Sequence, residues 1–563
     1  MSGIIVELDV PVPVRDGTML RADVYRPEEG PSPGLLMRTP YGKASMPALL
    51  TVLEPVRAAR EGFAVVVQDA RGRFASSGTF RPFDEGDDGH DAVEWLAGQP
   101  WCDGRVGMFG SSYMAAAQLQ AAVTGPPALR AISPIEASAD YYEGRSYRGG
   151  AFELGSLVTI ALWALSRGSL ERSGRERYRA GMREVRAFLA DLRAHLADRP
   201  LDLLGQGILG EVAPFFLEWA EHNVPGEFWA EHSIAGRYGD IDVPALHITS
   251  WFDQFHVGTL ANYEALSSLG LADQALVVGP WSHYVPRSSL LGAVRVGDVD
   301  FGLDALVDLE ALQLRWFRRH VADDEHAWRQ RTPVRLFVMG DDRWRDEASW
   351  PLTDTEVRPL HLAAGRRLAW SSPPTGGVDR YVFDPRDPTP TVGGAHLVLE
   401  STCPAGPVDH RWLAPRSDVL VYTSDPLAED VEIVGWVDAL LRIRSSAPST
   451  DFTVKVLEVW PDGRVLNVVD GITRVPSADQ PDTDGWVAVT VELGATAIVV
   501  RAGHALQVRV SSSSFPRFDV NPNTGEHPFH ATTTVRARQE VCVGGDRGSV
   551  VRLPVRAARG VAA

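Results

Sequence analysis

The stretch from Val106 to Val123 constrains the fold more than any other part of the chain. An apolar strand pattern runs to Gly110, turns there, and continues into an Ala-rich segment that favours a helix. A serine between a buried strand and a helix is typical of a nucleophile elbow, whose sharp turn exposes the hydroxyl beside the first helical N–H groups. The stretch therefore predicts a catalytic α/β domain. The alternative is an ordinary helix that Ser111 or Ser112 caps.

Two adjacent serines compete for the position of the nucleophile. The residue two places before a nucleophile must be small, because the strained turn brings its backbone close to the following helix. Gly110 holds that place for Ser112, whereas Phe109 holds it for Ser111. We therefore predict Ser112 as the nucleophile. The short pattern is incomplete, since Met114 stands where a second glycine is usual.

Strand and helix patterns alternate through the first part of the chain, with one long interruption. The apolar run from Phe63 to Asp69 is typical of a strand buried on both faces of a parallel sheet. The pattern is helical from Tyr141 to about residue 237, and from Val357 onward short strands recur between Gly, Pro and Asp turns. We predict an α/β protein with three parts: an α/β-hydrolase domain over residues 1–140 and 238–353, a helical cap over 141–237, and an all-β jelly-roll domain over 354–563.

An activated serine needs a base, and the base needs an acid to orient it. In α/β-hydrolases these follow the serine in the order acid, then histidine, at the ends of late strands. Asp253 follows the strand pattern that ends at Ile248, and His283 follows the one that ends at Val278. We predict Asp253 as the acid and His283 as the base. His256 is the competing histidine, but it lies where a helix should begin; alone, each residue could be an ordinary loop residue.

Several short motifs surround these candidates and continue into the last domain. They are Arg38-Thr39-Pro40-Tyr41-Gly42-Lys43, Gln68-Asp69-Ala70-Arg71-Gly72, Trp101-Cys102-Asp103-Gly104, Gly110-Ser111-Ser112-Tyr113, Trp251-Phe252-Asp253, Gly279-Pro280-Trp281-Ser282-His283, Ser511-Ser512-Ser513-Ser514-Phe515-Pro516 and Asn521-Pro522-Asn523-Thr524-Gly525. Together they resemble the signature set of the cocaine-esterase family, which is related to X-prolyl dipeptidyl peptidases and α-amino-acid ester hydrolases. The similarity spans nearly the whole chain.

The resemblance implies further site residues that the pattern alone does not identify. In the family a tyrosine hydroxyl at the place of Tyr41 joins one backbone N–H, here that of Tyr113, as the oxyanion hole. A phenol is a strong donor that its ring can hold rigidly, so this role is physically sound. The resemblance also places Trp163 and Phe255 where aromatic side chains line the acyl pocket. For Trp163, packing in the core is an equally good interpretation.

These residues predict a serine hydrolase that cleaves small carboxylic esters through an acyl-enzyme, with a preference for aromatic or bulky apolar acyl groups. An alternative is an amide- or peptide-directed hydrolase or an acyltransferase, which needs carboxylates to bind a substrate ammonium. A second alternative is a carbohydrate-binding or assembly protein that uses only its jelly roll. The carboxylates available to the first alternative are Glu136, Asp140, Glu143 and Glu153.

The composition of the chain limits which partners and cofactors the protein is expected to bind. The formal net charge of −18 argues against nucleic-acid binding. The chain has neither a signal-peptide pattern nor an apolar run long enough to cross a membrane, and its three cysteines form no disulfide framework. We therefore expect a cytoplasmic enzyme. No His/Cys cluster has metal-ligand spacing and no phosphate-binding loop occurs, so neither a metal nor a cofactor is expected. The expected partner is the ester substrate, with a homodimer as an open alternative.

Overall fold

The computed structural model describes residues 3–45, 53–198, 200–283, 294–328, 330, 332–399, 401–413, 415–475, 482 and 484–556. Its first part contains a sheet of ten strands in the order β1-β2-β4-β3-β5-β6-β9-β10-β13-β14. The seven strands from β4 to β13 in this order are parallel. The strands of this part are β1 (Ile4–Pro13), β2 (Met19–Pro27), β3 (Ser32–Thr39), β4 (Ala64–Asp69), β5 (Cys102–Ser111), β6 (Leu129–Ile135), β7 (Tyr147–Arg148), β8 (Ala151–Phe152), β9 (Ala245–Phe252), β10 (Gln274–Ser282), β11 (Arg295–Val296), β12 (Val299–Asp300), β13 (Val334–Val338) and β14 (Arg343–Glu347).

The predicted α/β fold is confirmed, and helices connect the parallel strands. Every residue of the helix after β5 is buried, which is why its sequence is apolar on all sides. Strands β9 and β10 extend four residues beyond the ends that the sequence pattern suggested, to Phe252 and Ser282. The candidate acid and base therefore follow these strands directly. The connecting helices are Pro55–Arg60, Gly86–Ala97, Tyr113–Val123, His256–Leu269 and Leu309–His320, with 3-10 turns at Tyr238–Asp240 and Leu303–Ala305.

Short helices form the segment between β6 and β9, together with the small β7–β8 hairpin. The helical stretch between Arg175 and Ala197 is two helices, because the backbone leaves the helical region at Asp191, where φ is −131° and ψ is 45°. A π-helical turn lies within the first helical stretch of this cap. Its segments are Leu154–Thr159, Ile160–Leu165 (π), Ser166–Glu171, Arg175–Ala190, Leu192–Ala197, Leu201–Gln206 (3-10), Ile208–Val212, Phe215–Glu221 and Glu227–Ala230.

The second large sheet has eleven strands and forms the C-terminal β domain that the sequence predicted. Ten follow the order β17-β24-β19-β25-β15-β16-β18-β23-β20-β21, and β22 pairs with β19. The chain passes from the first sheet to the second between Glu347 and Thr355. The strands are β15 (Thr355–Ala363), β16 (Arg367–Ala369), β17 (Gly377–Phe383), β18 (Leu420–Thr423), β19 (Val431–Ser445), β20 (Thr450–Val459), β21 (Val465–Val475), β22 (Val487–Val500), β23 (Ala505–Ser511), β24 (Ala537–Val543) and β25 (Val550–Arg556), with a 3-10 turn at Arg411–Leu413.

A buried ion-pair network joins the β domain to the cap. Arg517, fully buried, lies 2.9 Å from Glu153 and 3.1 Å from Asp470. Asp470 also lies 2.6 Å from Lys455. Breaking a buried pair of this kind leaves an uncompensated charge, so the network holds the start of the cap against the jelly roll. Among the described residues, no helix is long and apolar enough to span a membrane.

Candidate active site

The turn between β5 and its helix has the geometry of a nucleophile elbow. Ser112 has φ of 59° and ψ of −121°, a strained conformation for a residue with a side chain. At Gly110, where φ is 141°, a Cβ atom would lie 2.4 Å from Cβ of Met114. The requirement for a small residue two places before the serine is therefore steric. The Ser112 N–H donates to the carbonyl of Ile135 at 2.8 Å, and its side chain makes no capping hydrogen bond with the helix, all of which is described.

Asp253 and His283 meet at the ends of adjacent strands. Oδ1 of the fully buried Asp253 lies 2.7 Å from Nδ1 of His283, and its Oδ2 accepts the N–H of Phe255 at 2.9 Å. The carboxylate is thus fixed at one oxygen while the other orients the imidazole. A proton on Nδ1 leaves Nε2 as a proton acceptor, which is the tautomer that a general base requires.

His256 faces away from this arrangement. Its Nδ1 contacts the backbone oxygen of Asp253 at 2.7 Å, and its Nε2 accepts the N–H of Ala495, a residue of β22, at 3.4 Å. Both ring nitrogens are therefore occupied by backbone groups. Burial, followed by the charge of Arg148, lowers the pKa of His256 to about 4, so the ring is neutral. The geometry gives His256 a packing role between the hydrolase and β domains.

Tyr41 and Tyr113 lie on either side of the serine. Tyr41 and Ser112 line the same pocket; burial raises the pKa of Tyr41, and the neighbouring Ser112 side chain and two arginine charges oppose the rise. Tyr113 is the first residue of its helix, so its N–H has no helical partner. Its hydroxyl donates to Oε1 of Glu85 at 2.8 Å, and its ring meets that of Tyr41 edge-on at 6.4 Å. Both predicted oxyanion donors are thus held near Ser112.

The loop that carries Tyr41 is tied to the cap by one buried arginine. Arg73 donates from Nε to the carbonyl of Pro40 at 2.9 Å and from Nη2 to that of Leu165 at 2.6 Å. A charged donor shared by two carbonyls is stronger than a neutral hydrogen bond. The cap and the loop before Tyr41 are therefore positioned together.

A second carboxyl group, which the sequence considered only as an ammonium ligand, lies beside the histidine. Oε2 of Glu136 is 3.2 Å from Nδ1 of His283, and its Oε1 accepts a hydrogen bond from Ser250 at 2.6 Å. Burial raises the pKa of Glu136 well above the usual range, and the charge of Asp253 raises it further, against the opposing effect of Ser250. One signal could have found it: Glu136 directly follows β6, as Asp253 follows β9.

Glu136, Asp253 and His283 also form a group that could hold a metal ion, with one ligand atom from each residue and all three atoms within 4.8 Å of one another. Two carboxyl oxygens and an imidazole nitrogen are a reasonable donor set for a divalent ion. The contact between Nδ1 and Asp253 is also explained without an ion, because an N–H at Nδ1 can donate to that carboxylate.

A pocket opens beside Ser112, and most of its wall is aromatic or apolar. Phe255 belongs to the wall, with its ring 5.4 Å from that of His283. Trp163, the other predicted wall residue, is 53% exposed and is not among the described residues that line this pocket. Ile160 and Leu165, which begin and end the π-helical turn, do line it. The lining residues are Tyr41, Pro82, Phe83, Ser112, Tyr113, Ala116, Glu136, Ala137, Ser138, Tyr141, Arg145, Ile160, Leu165, Trp219 and Phe255.

The other three acidic residues considered as ammonium ligands do not line this pocket. Asp140 Oδ1 accepts the backbone N–H groups of Tyr142 and Glu143. Glu143 folds back onto the N–H of Gly149, at 3.2 and 3.3 Å, and Glu153 pairs with Arg517. The carboxylate set that the amide-directed alternative needs is therefore not assembled beside Ser112.

Comparisons with known families agree with this architecture. Residues 16–285 match the family model described as X-Pro dipeptidyl-peptidase (S15 family). Residues 326–552 match the model described as X-Pro dipeptidyl-peptidase C-terminal non-catalytic domain. The first match spans the α/β sheet through β10 together with the cap, and the second begins before β13 and runs through most of the β domain.

Individual relatives match over nearly their whole length. A cocaine esterase from Rhodococcus sp. (strain MB1 Bresler) is 38% identical over 548 residues, which are 92% of this chain and 93% of that protein. A solved α-amino acid ester hydrolase has a TM-score of 0.81 at 24% identity, with 99% and 97% of the two chains covered. An aminopeptidase from a marine sediment archaeon (Thaumarchaeota archaeon) also has a TM-score of 0.81, at 22% identity over 99% and 96%. At these identities the two solved structures show the fold alone.

Proposed function

Since this chain belongs to the cocaine-esterase family within the S15 group of serine hydrolases, we propose that it hydrolyses small carboxylic esters with Ser112 as its nucleophile. The observation that carries the proposal is the strained elbow at Ser112, with the Tyr41 side chain in the wall of the same pocket. When the serine attacks a carbonyl carbon, the carbonyl oxygen becomes negatively charged and needs a hydrogen-bond donor close to the nucleophile. The Tyr41 phenol would be that donor.

The reaction follows from the contacts of the three strand-end residues. His283 removes the proton of Ser112 while Asp253, 2.7 Å from Nδ1, stabilises the imidazolium. The Ser112 oxygen forms a bond to the acyl carbon, and the Tyr41 hydroxyl and the Tyr113 N–H stabilise the oxyanion. The bond to the alcohol oxygen then breaks, and His283 returns the proton to the alcohol. Water, activated by His283, releases the acid from the acyl-enzyme.

The wall of the pocket supports an aromatic or bulky apolar acyl group. Rings of Phe83, Tyr141 and Trp219 line it together, and the Phe83 and Tyr141 rings are 4.5 Å apart. Aromatic walls of this kind favour a flat or bulky acyl group through contact area and ring stacking. An acetyl group would leave much of this wall uncovered.

A fluorophosphonate probe tests the proposed nucleophile. We expect the probe to label the protein once, on the peptide that contains Ser112, and we expect p-nitrophenyl esters to release a burst of p-nitrophenol as the acyl-enzyme forms. A protein that is not labelled and hydrolyses no ester would overturn the proposal.

The acyl preference is tested separately with p-nitrophenyl benzoate and acetate. Phe255→Ala should lower kcat/KM for the benzoate more than for the acetate, because the ring lines the pocket. Trp412→Ala is the matched control, since this exposed tryptophan of the β domain does not line the pocket and its loss should leave the ratio unchanged. Equal losses for both esters in Phe255→Ala would contradict an acyl-binding role for the ring.

A further inference from the structure

A buried arginine forms part of the wall of the pocket beside Ser112. Arg145 is 3% exposed, and its guanidinium lies between two rings, 4.1 Å from that of Trp219 and 4.2 Å from that of Phe83. Its charge is close enough to lower the pKa of Tyr41, the proposed oxyanion donor. A cation therefore stands within the aromatic pocket that the acyl group would enter.

No carboxylate among the described residues forms an ion pair with Arg145. Its one side-chain hydrogen bond within that part of the chain runs from Nη1 to Oγ of Ser146, at 2.7 Å. A guanidinium has five N–H donors, so most of its capacity is unused by the described residues. Burial lowers the pKa of Arg145 to about 10, which leaves the side chain charged at neutral pH. The two rings offset only part of the cost of burying this charge.

Three other buried arginines show how such charges can be satisfied here. Arg38 lies 2.5 Å from Glu85, and Arg517 lies 2.9 Å from Glu153. Arg73 has no carboxylate but donates to two backbone carbonyls and to Ser169. Arg145 differs from these three, because it has a single side-chain hydrogen bond among the described residues and lines the pocket that a substrate would enter.

The carboxyl group that shares the pocket does not neutralise this arginine. Glu136 interacts with Ser250 and His283 and forms no ion pair with Arg145. The acyl end of the pocket is therefore positive. A substrate with an ammonium group near its acyl carbon would meet Arg145 unfavourably.

We propose that the acyl group of the substrate ends in a carboxylate that binds Arg145, so that the enzyme hydrolyses monoesters of dicarboxylic acids. This inference rests on the proposed function. The apolar body of the acyl group lies between the aromatic rings, and its two carboxylate oxygens accept the parallel N–H donors of the guanidinium. Ser112 attacks the ester carbonyl, the alcohol leaves with the proton that His283 carried, and water then releases the dicarboxylate.

The test uses p-nitrophenyl monoesters of linear dicarboxylic acids of increasing length, each paired with the neutral ester in which a terminal carboxamide replaces the carboxylate. We expect one length at which wild-type kcat/KM is about ten- to a hundredfold higher for the acid than for the amide, as a charged hydrogen-bonded pair predicts. Arg145→Met should abolish that ratio, and Arg145→Lys should restore part of it, because lysine keeps the charge without the fork.

Arg167→Met is the matched control. This arginine belongs to the same cap, but its side chain is 53% exposed and pairs with Glu171, so its loss should leave the ratio as in the wild type. Thermal melting of each variant checks folding. Should Arg145→Met fail to fold, binding of the free dicarboxylate against its monoamide to Ser112→Ala protein measures the same preference without turnover.

Two failures are distinguishable. A wild-type enzyme that is labelled by fluorophosphonate and hydrolyses the neutral esters at least as well as the charged ones overturns this inference and leaves the proposed function standing. An enzyme that is neither labelled nor active on any ester overturns both.

Discussion

Oε2 of Glu136 lies 3.2 Å from Nδ1 of His283, and the same ring nitrogen lies 2.7 Å from Oδ1 of Asp253. The two carboxyl groups come from β6 and β9, which are neighbours in the sheet, and the histidine follows β10, the next strand. Two carboxylates this close repel each other, so ionising both of them costs free energy. Burial and the nearby Asp253 charge raise the pKa of Glu136, which favours its protonated form beside the histidine.

The first prediction separates the roles of these two acids. Glu136→Gln keeps the shape and the acceptor for Ser250, so kcat should stay within a few-fold of the wild type. Asp253→Asn removes the charge that orients the imidazole and should lower kcat by about four orders of magnitude. Steady-state kinetics of the two variants measure the difference. Equal losses would show that both carboxyl groups act as the acid.

Stability provides an independent readout for Glu136. Because its pKa is raised on folding, the folded protein retains a proton that the unfolded chain releases above the usual glutamate pKa of about 4.3. Wild-type stability should therefore fall relative to that of Glu136→Gln as the pH rises above that value. Melting temperatures of both proteins across the pH range test this. A difference that does not change with pH would contradict the burial of a protonated Glu136.

The strand ends explain how much of the site could be predicted from the sequence. Ser112, Asp253 and His283 each follow an apolar run, and parallel strands bring such positions to one edge of the sheet. Glu136 meets the same criterion. Its place beside the histidine was missed because the serine–acid–histidine order directs the search for an acid to a late strand.

The cap could not be predicted to the same depth. Arg145 lies in a loop before the first cap helix, where no periodicity determines which side chain enters the pocket. Trp163 was placed in the pocket by the resemblance alone, and it lies in the π-helical turn, where a spacing of 3.6 residues per turn does not determine which side chains face inward. The C-terminal β domain was predicted as a class, since alternation identifies strands but does not determine the order in which eleven of them pair.

The second prediction concerns the two serines. Ser112→Ala should abolish fluorophosphonate labelling and reduce turnover by several orders of magnitude, because the nucleophile is lost. Ser111→Ala should keep most activity, since Ser111 is the last residue of β5 and its neighbour forms the strained turn. Labelling and kcat are measured on both variants, with melting temperatures as the folding control. The reverse result would place the nucleophile at Ser111.

The third prediction contrasts the two histidines near Asp253. His283→Ala should be about as damaging as Ser112→Ala, because the base and the nucleophile act as one unit. His256→Gln should retain catalysis and lose stability, by roughly 1–3 kcal/mol if its buried backbone partners are left unsatisfied.

The stability of the folded protein should also depend on pH through His256. The folded pKa of His256, about 4, is below the unfolded value of about 6.5, so the wild-type residue costs stability as the pH falls through that window. His256→Gln should therefore melt with less pH dependence between these values. An inactive His256→Gln beside an active His283→Ala would exchange their roles.

The last prediction concerns the Tyr41 hydroxyl, because a side-chain oxyanion donor in the pocket of Ser112 distinguishes the proposed site from one built on two backbone donors. Tyr41→Phe removes one oxygen and leaves the ring against Tyr113, so packing and substrate binding should change little. The oxyanion loses one of two donors, which costs about 3–4 kcal/mol, or roughly a hundred- to a thousandfold in kcat. KM should stay within a few-fold, because the donor acts mainly in the transition state. Fluorophosphonate labelling should slow without disappearing, since Ser112 and His283 are intact.

Tyr25→Phe is the control for this prediction. It removes a phenol hydroxyl elsewhere in the hydrolase domain, at a residue of β2 that does not line the pocket. A Tyr41→Phe enzyme with nearly normal kcat would mean that the oxyanion is stabilised by backbone N–H groups and that Tyr41 only packs beside them.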